Sequence, residues 1–359
     1  MAKSSTPNGI GRSASASDVN AEASEFGRTG LRRRMATLAP QRSLILGVAL
    51  LIALVVAGSV LVPGFFSVNA VRSMLLSASL LGIVALGQTL CALIGGLDLS
   101  IPFVVGAANV SLLYLTANRG IPSGIAVLIV IGIAVIVGVI NGLISHRQQG
   151  QSLVVTLGTG TALLGLTQII TTNSIYSGGT IRGTVPGWIT AIATPDGGRS
   201  GFGFAPSVLV WLVIAVVAVL LLSRTWTGRA IYAQGGNPVA ARRALISERG
   251  IWVTTFTISA VMAAIAGMFL LGFSGSAFYD IGQPYLFTTV AAVLIGGTTL
   301  IGGRGGYAQT VLGVAILTVL TVVLVGLNLS PAAQEMVLGM VLIPLVAAYA
   351  RLPHPRLRV

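Results

Sequence analysis

Of the 359 residues only eight are acidic, and one of them, Asp98, stands inside the apolar stretch LIGGLDLSIP at 93–102. A charge near the core of a bilayer is costly, so a carboxyl placed there must face protein, water or a partner. Gly95 and Gly96 before it and Pro102 after it interrupt a helix and leave backbone groups that need partners. Two readings of Asp98 and the neighbouring Ser100 stand side by side: a broken segment lining a pathway, or a capping residue in a tight loop. A second break is LIGGTTLIGGRGG at 294–306, which carries Gly296, Gly297, Thr298, Gly302, Gly303 and Arg304. Each glycine costs up to about 1 kcal/mol in a helix interior, so the six here exclude an ordinary span and imply close approach of backbones.

Further polar side chains sit among apolar neighbours: Gln88 in LGQT, Asn141 in GVINGLI, and Thr156, Thr159 and Thr161 in VVTLGTGTALLG. Amides and hydroxyls in such settings bridge between helices, with contact to a solute as the alternative. Other chemistries fail by counting. A Walker loop requires a lysine after its glycines, and the sole lysine is Lys3 in a polar tail. Cys91, His146 and His354 are too few and scattered for a thiol-rich or histidine-rich zinc site, and one cysteine forms no internal disulfide. Cys91, in an apolar run, reads as a packing residue. The paired acid, histidine or cysteine groups of hydrolytic and transfer enzymes are missing.

The elements that must position these residues are transmembrane helices. The chain is 54% hydrophobic and 8% charged, with a mean hydropathy of +0.93, against about 25% charge in ordinary soluble domains. Its formal charge of +13 comes from residues set between apolar runs, which points to a membrane face and not to nucleic acid. The expected fold is an all-α integral membrane protein of about ten transmembrane helices with broken or re-entrant segments, its N- and C-termini cytoplasmic. The spans fall near 44–62, 72–94, 101–117, 122–145, 153–175, 205–223, 251–272, 285–301, 307–327 and 332–350. This topology leaves Arg72, Arg119, Arg182 and Arg199 outside and the other 17 of the 21 basic residues inside.

Three regions follow: a disordered basic cytoplasmic tail over 1–42, a transmembrane domain over 43–351, and a cytoplasmic tail over 352–359. The outside connection at about 176–204 is rich in glycine and proline, with Trp188 marking an element at the membrane interface. Asp280 and Glu335 fall near the outer surface, either solvated or facing a soluble partner. The inside connection at about 224–250 holds a short helix lying across the cytoplasmic face, with Asn237 as its N-cap and Pro238 as its first residue.

Five stretches in order, ALGQTLCALIGGLDLS (85–100), NG (141–142), VVTLGTGTALLG (154–165), GRAIYAQGGNPVAARRALI (228–246) and LIGGTTLIGGRGG (294–306), together resemble one family. The chain is similar over about 45–350 to the membrane permeases of bacterial ABC importers for ribose and related monosaccharides. The resemblance implies an inner-membrane permease homodimer in contact with membrane lipid, which receives solute from a periplasmic solute-binding protein. Separate ABC ATPase subunits would hold ATP and Mg, with no cofactor in this chain. It also implies a coupling element from Gly228 to Ala244 that includes Arg229, Tyr232, Ala240, Ala241 and Arg242, with Gly235, Gly236, Asn237 and Pro238 shaping its entry. Arg242 and Arg243 would face the ATPase or lipid, and Asp98 and the glycine breaks would belong to the moving core.

Three departures stand out: LSIP at 99–102 where LSVG is usual, Val239 where Glu is common, and RRALISERG where a small-residue turn is usual. The alternative is an ion-coupled secondary transporter using Asp98, which leaves GGNPVAARR unexplained. Ribose, xylose, galactose and polyols all stay open as solutes.

Overall fold

The computed structural model describes residues 44–148, 151–171, 175–176, 180–181, 183–197, 201 and 203–350. The expected tails at 1–42 and 352–359 lie outside these. Leu46–Val359 forms one compact unit; of the other, Met1–Ile45, only Leu44 and Ile45 are described.

In chain order the helices are α1 (Leu44–Leu61), α2 (Val68–Leu93), α3 (Ile101–Leu113, continued by a π turn over Tyr114–Asn118), α4 (Ser123–Ser145) and α5 (Ser152–Thr171). After them come α6 (Gly187–Ala193), α7 (Pro206–Arg224), α8 (Trp226–Gly236), α9 (Pro238–Arg243), α10 (Glu248–Ser274), α11 (Tyr285–Ile295), α12 (Tyr307–Gly326) and α13 (Pro331–Ala350). A small antiparallel sheet joins β1 (Ile175–Tyr176), β2 (Thr180–Ile181) and β3 (Ala277–Phe278), with Thr180 opposite Phe278 and Ile181 opposite Ala277.

Eight of the described helices are long and apolar enough to cross a membrane: α1, α2, α3 with its π turn, α4, α5, α7, α10 and α12. The span expected at 285–301 is corrected. α11 stops after 11 residues, a length of about 16 Å and roughly half the hydrocarbon thickness, because Gly296 and Gly297 end it. The helix expected at 332–350 is present as α13, with Pro344 inside it. Large apolar side chains on the outer faces are widely exposed, Leu128 and Val154 at 71% among them, as lipid contact requires.

The axis of the bundle is α10, which packs along α2, α3, α4 and α6. Its length of 27 residues is bounded by Ser247, whose side chain accepts from the Gly250 N–H, and by Gly275 in the left-handed conformation. Small residues let its neighbours approach. A Cβ at Gly142 of α4 would lie 2.5 Å from Val253 Cα, and one at Gly87 of α2 would lie 2.6 Å from Ser259 Cα. On the far side of α2, Trp211 of α7 donates to the Tyr307 hydroxyl (2.9 Å), which donates to the Gly82 carbonyl (2.7 Å). This chain ties α7, α12 and α2 together in a region where hydrocarbon offers no partner.

The connection at about 176–204 contains a short helix, α6, whose half-exposed Trp188 donates to Ser123 Oγ at 3.0 Å. The inside connection is more helical than expected. α8 follows α7 almost directly, and a separate α9 begins at Asn237, whose side chain accepts from the Ala240 N–H with Pro238 in the first helical position.

Forcing α4 away from α10 has a measurable cost. Gly138→Leu, where the α10 backbone at Phe256 and Thr257 leaves no room, should lower stability by about 1–3 kcal/mol. Gly132→Leu on the same helix, with nothing within 4 Å, should leave thermal unfolding in detergent unchanged.

Candidate functional site

Both glycine breaks are built alike. α2 ends in a Schellman motif in which the Gly96 N–H reaches the Cys91 carbonyl (2.9 Å) and the Gly95 N–H the Ala92 carbonyl (2.9 Å), with Gly95 at φ 80°. α11 ends in the same motif: Thr298 N–H to the Val293 carbonyl (3.0 Å) and Gly297 N–H to the Leu294 carbonyl (2.9 Å), with Gly297 at φ 91°. Only glycine takes that conformation without penalty, which accounts for its recurrence after the two LI pairs.

The first break is held by polar side chains from three helices, hydroxyls of α5 and α10 and an amide of α4. From α5, Ser152 Oγ accepts from the Leu97 N–H (3.1 Å) and Thr156 Oγ1 from the Leu99 N–H (2.9 Å). Asp98 is 2% exposed. Its Oδ1 accepts from the Ser100 N–H (2.9 Å) and hydroxyl (2.5 Å), and its Oδ2 from Ser259 Oγ (2.7 Å), near the middle of α10. Asn141 of α4 donates to Ser100 Oγ (2.9 Å), and Thr159 of α5 donates to the Asn141 amide oxygen. Asp98, Ser100, Asn141, Thr156 and Thr159 therefore form one network joining α3, α4, α5 and α10. Asp98 thus takes up the backbone N–H just before α3 from a position inside the buried interior. No basic side chain among the described residues pairs with it.

Other expected site residues lie elsewhere. Gln88 is fully buried on α2, but neither of its amide atoms has a partner, so it stands outside the network. Thr161 bonds only to its own helix, at the Gly158 carbonyl (3.0 Å). Cys91 is fully buried, as a packing residue should be. Asp280 and Glu335 are exposed.

The second break meets the first at α8. Gly303 N–H donates to the Leu93 carbonyl (2.8 Å), directly joining the end of α2 to the loop of the second break. Gly235, buried near the end of α8, presses on that junction: a Cβ there would collide with the Leu93 carbonyl oxygen and come within 2.5 Å of Gly303 N. Gly236 packs on Gly303, and Gly302 packs on Gly235 and on Gly95. Tyr232 donates to the Gly305 carbonyl (2.8 Å), and burial raises its phenol above the ordinary pKa. Thr298 Oγ1 closes the loop by accepting from the Gly306 N–H (3.1 Å), while Gly296 packs on the Gln309 carbonyl.

The segment from Gly228 to Ala244 thus has a buried side and a free one. Gly228 packs under the Leu221 and Leu222 carbonyls, and Ala241 is buried in α9. Gly235 and Gly236 are the last two residues of α8, directly before the Asn237 cap of α9, and they form the contact of α8 with the breaks. Arg229, Ala240, Arg243 and Arg304 are exposed, Arg304 at the tip of the second break beside Gly236. Arg242 is exposed and pairs with Glu248 (3.0 Å).

Ser152 and Ser259 escaped the sequence analysis. Ser152 is the one serine of α5 and Ser259 one of two in α10, and only their place beside the Asp98 break in three dimensions marks them. Asp98→Asn replaces an acceptor with a donor facing two donating hydroxyls, and should lower stability by about 2 kcal/mol. Ser259→Ala should cost about 1 kcal/mol, and the double variant less than the sum, since the two share a bond. Thermal unfolding in detergent reads all three.

Comparison with known proteins agrees with this architecture. Residues 70–346 match the family described as branched-chain amino acid transport system / permease component. The ribose import permease protein RbsC of Haemophilus influenzae is 31% identical over 322 residues, covering 87% of this chain and 93% of that protein. The fructose import permease protein FrcC of Rhizobium meliloti is 29% identical over 304 residues, 84% of this chain and 83% of that protein. The probable ABC transporter permease protein YphD of Escherichia coli is 30% identical over 286 residues, 80% and 83% of the two chains. No solved structure matches. A match over most of the length, on a bundle of apolar helices whose two breaks meet one short helix, shows that the chain belongs to this family of transport-system permease components.

Proposed function

We propose that this chain is the inner-membrane permease subunit of an ATP-binding-cassette importer for a monosaccharide or related small polar solute. Separate ATPase subunits would hold ATP and Mg and supply the energy, and a periplasmic binding protein would deliver the solute. The sugar class comes from the relatives, whose names specify fructose and ribose import. The family description names branched-chain amino acids, so membership alone leaves the solute open.

Basic residues support the orientation. Arg147, Arg224, Arg229, Arg242, Arg243, Arg249 and Arg304 lie at the α8–α9 end, while Arg72 and Arg119 lie at the other end. The first end is then cytoplasmic. The chain runs α1 outward and α13 inward, with both termini on the cytoplasmic side, and two copies of it face each other.

The observation that carries the coupling mechanism is the junction of Gly235 with Leu93, Gly95, Gly302 and Gly303. α8 and α9 form a short rigid lever on the cytoplasmic face. One end grips the ends of both broken helices, and the other offers apolar side chains to a partner. Val239 is 59% exposed and Leu245 is 92% exposed. Leu245 also holds the left-handed conformation at φ 60°, in the position after α9 that glycine usually fills. A leucine kept there at a cost of about 1–2 kcal/mol is a knob for a docking pocket. A pull on α9 moves α8, shifts the two breaks together, and tilts the helices they terminate, so the interior opens to one side at a time. No covalent chemistry takes place in this chain.

The first experiment is affinity purification from native membranes in mild detergent, followed by an assay of ATP hydrolysis. A stoichiometric ATPase subunit is expected; a chain that stays alone yet moves solute in liposomes under an ion gradient overturns the proposal. Gly235→Val and Tyr232→Phe should reduce ATP-dependent uptake at normal membrane abundance, the valine to background and the phenylalanine severalfold. Leu245→Gly should raise the melting temperature while weakening retention of the ATPase.

A further inference from the structure

We propose that the concavity between the end of α4 and the start of α10 binds the headgroup of an anionic phospholipid. It encloses about 370 Å3 and is lined by Leu143, Ile144, His146, Arg147, Gln148 and Arg249. Arg147 lies in the turn that follows α4 and Arg249 in the first turn of α10, and both are exposed. Among the described residues neither makes a side-chain hydrogen bond or ion pair. Glu248, the acidic neighbour in sequence, is engaged by Arg242 at 3.0 Å. His146 is fixed through Nδ1 at the Leu143 carbonyl (2.7 Å), which leaves its other ring nitrogen for a ligand.

Charge alone would suit any anion, but the concavity continues into an apolar track. Ile144, Ile140 and Ile136 follow one another at four-residue spacing on α4, with exposures of 40%, 41% and 60%. They lead about 12 Å along the helix, away from the arginines and into the membrane. A pair of cations at the end of an exposed apolar stripe matches a phospholipid, with phosphate between Arg147 and Arg249 and an acyl chain along the isoleucines. A free phosphate would leave the track unused, and so would an acidic segment of a soluble protein.

Placing this lipid in the cytoplasmic leaflet rests on the orientation proposed above; its binding in detergent does not. The test is native mass spectrometry of the full chain titrated with phosphatidylglycerol or phosphatidylcholine of matched acyl chains. Wild type should retain phosphatidylglycerol in preference. At about fivefold per arginine, Arg147→Gln with Arg249→Gln should weaken that retention roughly thirtyfold. The Arg→Lys pair should keep most of it, and Arg119→Gln, at the other end of the bundle, should change nothing.

Equal retention of the two lipids by wild type, unchanged retention in the glutamine pair at an unchanged melting temperature, or displacement by millimolar inorganic phosphate would overturn the site. So would a glutamine pair that keeps the lipid and loses the ATPase, which would assign the arginines to that partner. Because the measurement needs no ATPase, absence of a co-purifying subunit sinks the coupling mechanism without touching the lipid result.

Discussion

A backbone amide in hydrocarbon has no water to bond, and the rest of this structure depends on that constraint. A membrane helix can break only where other groups take up what the break releases. Here α2 stops at Leu93 and α3 begins at Ile101, so a run of nonhelical backbone lies among packed helices. Ser152 and Thr156 accept from two of its N–H groups, and Asp98 accepts from a third. The carboxyl, which in isolation would be costly to bury, is held by Ser259 of the helix at the centre of the bundle. Break, network and central helix are one solution to one problem.

The second break is solved differently. Its loop bonds chiefly to itself and to the first break, through Thr298 with Gly306 and Gly303 with Leu93. Without side chains at Gly235, Gly302 and Gly303, three backbones pass within contact distance at a single point. Such a junction transmits displacement well, because close-packed backbone has little slack to absorb it. The first break is stiffened by hydroxyls and the second by backbone contact, and α8 touches both.

The α8–α9 end of the bundle carries two faces of separate chemistry. Around α9 the exposed groups are Val239, Leu245 and arginines, suited to an apolar docking pocket with a charged rim. Around the end of α4 they are Arg147 and Arg249, neither paired among the described residues, beside a stripe of exposed isoleucines, a combination suited to an amphiphile.

Composition and spacing alone determined a great deal. A chain this apolar, with so few charges, had to fold as membrane helices, and the positions of Asp98 and of the two glycine runs had to be breaks. Asn237 and Pro238 named the start of α9 because capping is a local interaction, readable from adjacent residues. The half-length α11 was missed because a window of apolar residues cannot tell a complete span from one that stops inside the protein. Gln88 looked equivalent to Asn141 in sequence, yet one is unpartnered and the other bridges Ser100 and Thr159. Ser259, 161 positions from Asp98, carried no signal at all. Local propensity and hydropathy act over a few residues and are written in the chain, whereas the choice of partner for a buried polar group, and the meeting of Gly235 with both breaks, depend on which helices pack together and at what depth.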